Sequence, residues 1–340
     1  MIILGIETSC DETSAAVIDD GEVKSNIISS HLVHKQYGGI VPELASRAHQ
    51  SLIIPVVHEA LNAAQIRKDQ LNGVAATYGP GLMGALLVGL SFGKAFAYGL
   101  NIPFIGINHM EAHIYSNFIK EPRPNYPFLS LIVSGGHTQL ILVREPLQHQ
   151  LLGETLDDAA GEAYDKVAKM FGLGFPGGPV IDQLAKEGNP EFVRFPRSYL
   201  EPDSSDFSFS GIKTSVLYWL RDHGFHSNEN LPPIPSGQLR DLCASFQAAV
   251  VDVLVRKTVQ AALKLGVKDV AVAGGVSANS ELRKRLQAAA NENLFRLFIP
   301  EFEYCTDNAA MIAQLGWMKL KSGIRSDFHL SAVPNLSIGI

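Results

Sequence analysis

The chain has little cysteine, little tryptophan and little charge of either sign. Its 340 residues hold 3 cysteines and 2 tryptophans, and charged residues make up 18%. Cys10, Cys243 and Cys305 lie far apart, with no Cys-x-x-Cys pair. That excludes a disulfide framework and fits reduced thiols in the cytosol. Basic residues are not in excess. The formal net charge is -6, so no chain-wide electrostatic footprint for nucleic acid exists, and an RNA would have to meet a local patch or a partner subunit. Long apolar runs are scarce too. The one membrane-like stretch, Gly81 to Leu100, is interrupted by glycines and carries Lys94, so it reads as a buried helix near a ligand and not as a span. The first residues lack a basic stretch ahead of an apolar run and soon meet Glu7, Asp11 and Glu12, which argues against a signal peptide. A cytoplasmic protein without membrane contact is the expectation.

What is present is globular. Apolar residues reach 46%, and the length favours two domains over one. Strands and turns alternate early. Ile2 to Ile6 reads as a buried strand, residues 7–14 as a polar turn, Ala15 to Asp19 as a return strand and Val23 to Ser30 as a third, with a loop at Gly38-Gly39. Helical spacing of apolar residues follows from Glu43 to Ala64. The opening pattern then recurs: Phe128 to Val133 is a strand, Ser134-Gly135-Gly136-His137-Thr138 a turn, and Gln139 to Arg144 a return strand. This organisation suggests a duplicated α/β domain whose two hairpins face one cleft. Glycine-rich turns of this kind suit a phosphate, since backbone N–H groups can approach it closely. Residues 153–169 read as a polar middle. Residues 190–240 read as a surface excursion with one helix near Gly211 to Leu220, and Leu239 to Leu265 as a long helix. Asp269 to Ala273 reads as a buried strand before Gly274-Gly275 and a helix from Ser280. Phe295 to Pro300 reads as the last strand and Asp307 to Lys321 as the last main helix, with Asp307 near its N-cap. The expected domains are 1–108 with 306–325, a metal-bearing connection at 109–127, and 128–305.

The chemistry centres on Asn108-His109-Met110-Glu111-Ala112-His113. His109 and His113 stand four apart at the start of a predicted helix, hence on one face, where two imidazoles can share a metal ion. The same spacing also occurs in purely structural pairs. Asp307, in Cys305-Thr306-Asp307-Asn308, is the candidate third ligand, and two histidines with one carboxylate leave coordination positions open.

A set of motifs now appears in order: Gly5-Ile6-Glu7-Thr8-Ser9-Cys10-Asp11-Glu12-Thr13, Val41-Pro42-Glu43-Leu44-Ala45-Ser46-Arg47, Gly79-Pro80-Gly81-Leu82, the His109–His113 segment, Val133-Ser134-Gly135-Gly136-His137-Thr138, Asp157-Asp158-Ala159-Ala160-Gly161-Glu162, Phe207-Ser208-Phe209-Ser210-Gly211, Gly274-Gly275-Val276-Ser277-Ala278-Asn279 and Cys305-Thr306-Asp307-Asn308. With these, the chain resembles the tRNA N6-adenosine threonylcarbamoyltransferase family, in its bacterial form, over nearly its whole length. The resemblance implies an actin/sugar-kinase/Hsp70-like (ASKHA) two-lobe fold with a central cleft. It implies transfer of the threonylcarbamoyl group of threonylcarbamoyl-AMP to the adenine beside the anticodon of tRNAs that read codons beginning with adenine. It implies one divalent metal on His109, His113 and Asp307, with Fe2+ ahead of Zn2+. It implies substrate contacts at Ile132, Val133, Ser134, Gly135, Gly136, Asp165, Gly178, Asp182 and Asn279. ATP or ADP binding would also be in keeping with it. The partners implied are tRNA, a degenerate paralogue subunit and a small P-loop ATPase subunit. Helices 43–64 and 91–98 are candidates for the paralogue surface.

Asp11 and Glu12, in the first hairpin turn, are the candidates for taking the proton of the attacking amine, and a solvated turn is the plain alternative. Glu7 stands where related kinases carry a metal-linked acid, but it reads here as a turn-capping carboxylate. Archaeal relatives place a tyrosine ligand before the Val-Ser-Gly-Gly turn. Ile132 occupies that place here, which leaves the remaining coordination to substrate or water. Lys166, Lys169, Arg194, Arg197 and Lys213 are candidates for a local tRNA patch.

Three other functions compete. A metallopeptidase would need Glu111 as base. At roughly 100° per residue, Glu111 lies about 180° from the midpoint of the two histidines, against about 80° for the glutamate of His-Glu-x-x-His. A small-molecule kinase would need an acid on the second hairpin, where Ser134-Gly135-Gly136-His137 has none. A non-enzymatic nucleotide-gated partner is compatible with the fold alone.

Overall fold

The computed structural model describes residues 1–30, 39–200, 204–225 and 234–338. The expected loop at Gly38, and the parts of the surface excursion at 201–203 and 226–233, lie outside the described residues. The chain separates into two compact units, 1–123 with 300–339, and 124–299.

In the first unit, β1 (Ile2–Glu7) pairs antiparallel with β2 (Glu12–Asp19), which pairs antiparallel with β3 (Glu22–Ser30). Helix α1 (Pro42–Ala64) follows. Pro42 sits in its first turn, where no N–H partner is lost, and Ala45, His49, Ile53, Val56, Val57 and Ala60 form its buried stripe. β4 (Gly73–Gly79), α2 (Met83–Leu100) and β5 (Phe104–Asn108) form the parallel half of the sheet, and α3 (His109–Tyr115) leaves directly from β5. The sheet order is β3-β2-β1-β4-β5.

Helix α2 is not buried all round, as its composition suggests. Ala85, Leu86, Gly89, Leu90, Gly93 and Ala97 are buried, whereas Met83, Leu87 and Tyr98 are exposed. By length and composition it could cross a membrane. Its small-residue face instead packs on β4 and β5 as a core helix does: Gly93 sits against Ala76 and Phe104.

In the second unit, β6 (Phe128–Val133) pairs antiparallel with β7 (Thr138–Glu145), and β7 with β8 (Gln148–Glu154). Then come α4 (Ala160–Met170), α5 (Gly177–Ala185), α6 (Ser210–Asp222) and the long α7 (Ser236–Leu265). β9 (Asp269–Ala273) pairs parallel with β6. α8 (Ser280–Asn293) and β10 (Arg296–Phe298) complete the unit. The sheet order is β10-β9-β6-β7-β8. Read from its other edge, it repeats the first sheet in order and in every strand direction, so the duplication is one of topology. The stretch 153–169 is not merely polar. It ends β8 and forms most of α4, whose Ala160, Ala163, Tyr164, Val167 and Ala168 recur at helical spacing and are buried. The last strand is shorter than 295–300, because only Arg296 to Phe298 finds β9 to pair with.

The chain returns to the first unit as α9 (Ala309–Lys321). β1 is a continuous apolar strand because it is covered on both faces, by α9 on one and α1 and α2 on the other. Gly5 is required there. A Cβ would lie 2.5 Å from the Ala309 carbonyl oxygen of α9. Gly274, after β9, holds φ +87, and a Cβ would lie 2.4 Å from the Val133 carbonyl oxygen.

Candidate metal centre and substrate-binding turns

β5 delivers its last residue, Asn108, as the N-cap of α3. The Asn108 side chain accepts from the Met110 and Glu111 N–H groups, and its own amide donates to the Ser337 carbonyl at 3.0 Å. The first turn of α3 is thereby fixed, and with it His109. Asn308, not Asp307, caps α9, accepting from Met311 N–H. The Asp307 carboxylate, one residue earlier, is left free to turn toward the histidines.

His109 Nε2 lies 3.3 Å, and His113 Nε2 3.2 Å, from the same Asp307 oxygen, Oδ1. Potential ligand atoms of the three residues lie within 4.8 Å of one another. The rings are nearly perpendicular, with centroids 4.7 Å apart. Both histidines are buried. His109 Nδ1 donates to Glu7 Oε2 at 2.9 Å. That bond holds the Nδ1 proton and turns Nε2 toward Asp307, the arrangement by which a carboxylate orients a metal-ligating histidine. His113 Nδ1 is buried and has no hydrogen-bond partner among the described residues. Two imidazole nitrogens and one carboxylate oxygen, convergent and buried, fit a divalent ion with open positions.

The electrostatics agree. Burial disfavours charge on every member, but opposite charges override it. The Asp307 and Glu7 carboxylates hold His109 well above the usual imidazole value. Against burial, His109 in turn holds Glu7 and Asp307 below the usual carboxylate range. Burial pushes His113 down. Without metal, the centre is one imidazolium between two carboxylates beside one neutral imidazole.

Glu7 does cap its turn, accepting from Ser9 N–H, but that is the smaller part of its work. It is completely buried and also accepts from Thr77 Oγ1 at 2.6 Å and from His109. The one signal in the sequence is an acid at the end of a fully apolar strand.

Asp11 and Glu12 form the turn into β2. His49 of α1 is buried and holds this turn with both ring nitrogens, bonding Thr13 Oγ1 at 2.8 Å and the Cys10 carbonyl at 3.0 Å. Glu12 accepts from Ser30 Oγ at 3.0 Å. Burial, with the nearby Asp307 charge second, pushes its carboxyl up to about 7. Cys10 is pushed well up, chiefly by burial, and Cys305 is buried with its thiol on the Glu301 carbonyl, so neither thiol is an activated nucleophile.

The other predicted contact residues lie in the second unit. Ile132 and Val133 end β6 and are buried. Ser134 closes the turn to β7, its N–H bonding the His137 carbonyl at 2.8 Å. Gly135 and Gly136 are exposed, with nothing near the place of a Cβ. Asp165 caps the start of α5 through Gly177 N–H at 2.7 Å, and Gly178 follows, facing open space. Asp182 accepts from Gln247 Nε2 at 3.1 Å and Ser280 Oγ at 2.8 Å. Asn279 caps α8 through Leu282 N–H and donates to the same Gln247 at 2.8 Å. Asp182 and Asn279 thus belong to one hydrogen-bonded network.

The five basic patch candidates do not form one free patch. Lys166 and Lys213 both bind Asp158, each at 2.6 Å, and Arg197 binds Asp252 at 2.8 Å. Glu111 is likewise engaged. Its Oε2 lies 2.5 Å from Lys319 Nζ on α9, pointing away from the histidines as the helical wheel requires.

Comparison with known proteins places the chain in a family. Residues 22–314 match the family described as tRNA N6-adenosine threonylcarbamoyltransferase. Proteins of that name from Salinibacter ruber and Thermosipho africanus are 55% and 49% identical over 339 residues, each alignment covering 99% of this chain and 100% of the relative. Among solved structures, full-length HypF in its phosphate- and nucleotide-bound form superposes with a TM-score of 0.60 at 14% identity, covering 94% of this chain and 46% of that one, so this chain spans about half its length. The activator of 2-hydroxyisocaproyl-CoA dehydratase from Clostridium difficile gives 0.50 at 14% identity, covering 95% and 97%. The distant pair speaks for the fold, a duplicated α/β architecture of the actin/sugar-kinase/Hsp70-like class. The near relatives, matched end to end, show that the chain belongs to the tRNA N6-adenosine threonylcarbamoyltransferase family.

Proposed function

We propose that this chain transfers the threonylcarbamoyl group of threonylcarbamoyl-AMP to N6 of the adenine next to the anticodon, position 37, in tRNAs that read codons beginning with adenine. The observation that carries the reading is the convergence of His109, His113 and Asp307, with His109 clamped by Glu7, in a chain of this family. The N6 amine attacks the carbamoyl carbon, the bond from that carbon to the phosphate oxygen breaks, AMP leaves, and one proton passes from the amine to a base. The donor is already activated, so positioning and charge stabilisation account for most of the catalysis.

His109, His113 and Asp307 would hold one divalent ion, Fe2+ first and Zn2+ second. Bound there, it supplies Lewis-acid stabilisation of charge on the donor's oxygens. Glu7 keeps the Nδ1 proton in place. Glu12, with a carboxyl near neutrality, is suited to accept the amine proton, while Asp11 orients the amine. Ser134, Gly135 and Gly136 offer backbone to the donor after Ile132 and Val133, and Gly178 leaves room at the start of α5. Asp165, Asp182 and Asn279 order the neighbouring helix starts toward its ribose and threonyl groups. A degenerate paralogue subunit, a small P-loop ATPase subunit and ATP or ADP complete the working assembly in the cytoplasm.

The peptidase reading loses its base to Lys319. The test is reconstitution of the chain with its partner subunits, threonylcarbamoyl-AMP and unmodified tRNA, with nucleosides analysed by mass. Modified adenosine from the wild type, lost in His109→Ala and Asp307→Ala, is expected. No product from wild-type protein, with partners that work alongside a homologous subunit, overturns the reading.

A further inference from the structure

We propose that a groove in the second unit, between the segment 190–199 and α7, binds the sugar–phosphate backbone of tRNA. This inference rests on the reading that the chain acts on tRNA. It goes beyond that reading by naming where the acceptor's backbone is held.

The groove has a volume of ≈ 850 Å³, and Arg194, Arg197, Tyr199 and Arg256 are among its lining residues. Its frame is rigid. Asp252 on α7 accepts from Arg197 Nε and Nη2, both at 2.8 Å, and its other oxygen lies 2.5 Å from Arg285 Nη1. Arg197 Nη1 also donates to the Phe195 carbonyl at 2.6 Å. One carboxylate thus ties two guanidinium groups and staples the irregular 190–199 segment to α7. Arg256 lies over the Tyr199 ring, 4.2 Å from its centroid, which orients the guanidinium plane without consuming its N–H donors. Arg194 and Arg256 are exposed and form no ion pair among the described residues.

Charge selects the occupant. Among the described residues, three guanidinium groups, those of Arg194, Arg197 and Arg256, line the groove with two carboxylates, Glu191 and Asp252, and Arg285 beside it also pairs with Asp252, in a chain whose net charge is -6. A positive island on an acidic protein attracts a polyanion locally while the rest of the surface repels it. Arginine forks match phosphate oxygens bidentately, which lysine cannot do. The groove lacks the mainly apolar wall that buries a small ligand, and an open arginine-lined trough with a stacked aromatic is the form that tracks an RNA backbone.

The test uses the assembled complex. Arg194→Glu with Arg256→Glu is compared with Lys68→Glu and Lys264→Glu, a matched charge change at exposed sites elsewhere. Binding of fluorescently labelled tRNA is followed by anisotropy across a salt series, beside the modification assay. The arginine pair is expected to raise the Kd and KM for tRNA by on the order of tenfold and to lower the slope of log K against log salt by about two, with kcat at saturating tRNA within about twofold. Arg194→Ala, at an exposed side chain, lowers the slope by about one without endangering the fold. Equal Kd and slope in the arginine pair and the matched control overturn the inference. So does loss of the partner subunits from the complex with tRNA affinity intact, which would make the groove a protein interface. A wild-type complex that binds tRNA through these arginines but modifies nothing sinks the proposed reaction and leaves the groove standing.

Discussion

Glu7→Gln is the sharpest perturbation of the centre, because it changes one atom and one charge. Three donors converge on the Glu7 carboxylate. His109 Nδ1–H and Thr77 Oγ1–H reach Oε2, at 2.9 and 2.6 Å, and Ser9 N–H reaches Oε1. A glutamine has one acceptor oxygen, so in either orientation its NH2 must face a donor. If it faces His109, the Nδ1 proton is expelled, the tautomer inverts and Nε2 becomes the protonated nitrogen turned toward the metal position. If it faces Ser9, the turn leading to Asp11 and Glu12 is disturbed. Loss of such an orienting partner typically weakens metal binding by about 10–100-fold, or about 1.4–2.7 kcal/mol. Leaving a buried donor unsatisfied costs about 1–3 kcal/mol of folding stability besides. The assay is competition with a coloured chelator for Zn2+ or Fe2+ at pH 7.5, beside a thermal melt that certifies folding and a nitrogen-15 spectrum of His109. Glu7→Asp, which keeps the charge and the acceptors, should recover most of the affinity. A folded Glu7→Gln protein that binds metal as tightly as wild type, with Nδ1 still protonated, would refute the clamp.

The charge arrangement of the metal-free centre sets a pH window. The His109 contribution, from a raised pKa, is complete below 6.5 and is lost as pH rises through the folded value; those of Glu7 and Asp307, from lowered pKa values, are complete above 4.5 and are lost as pH falls. Melts of chelator-treated protein should therefore peak between 4.5 and 6.5, and a Tm that climbs steadily to pH 8.5 contradicts this. Metal binding must displace the shared imidazolium proton, so calorimetry in buffers of different ionisation enthalpy at pH 7 should register about one proton released per ion. Glu12→Gln should lower kcat for adenosine modification by about 10²–10⁴ while the KM for tRNA stays, and wild-type kcat/KM should rise with pH up to about 7, the rise vanishing in the variant. Glu111→Gln breaks the ion pair to Lys319 at a cost of about 1–3 kcal/mol, read as a lower Tm, yet should leave metal affinity and transfer within about twofold; abolished transfer in a folded variant would restore Glu111 to the chemistry.

What is legible in the sequence is what periodicity and local spacing encode. β1 and β6 are apolar apart from Glu7 and Ser130 because both faces are covered, and their hairpins announce the repeat. β8 hides, because Gln148–Glu154 keeps a largely exposed face and its only apolar side chains, Leu151 and Leu152, are adjacent and so do not alternate. Helix α2 reads as buried because its composition is apolar, but composition cannot say that Met83, Leu87 and Tyr98 face outward while glycines and alanines face the sheet. The histidine pair is legible because i and i+4 share a helix face. Glu7 is understood only in part, because its decisive partner lies 102 residues away and reaches it only once β5 lies beside β4 and β4 beside β1. Charge is the least legible quantity. Lys166 and Lys213 look like free cations until both prove to be spent on Asp158, while Arg194 and Arg256, 62 positions apart, come to line one groove only after Asp252 has stapled the 190–199 segment to α7. The histidine pair is written into short stretches, whereas the carboxylate that orients His109 and the arginine-lined groove are products of the fold.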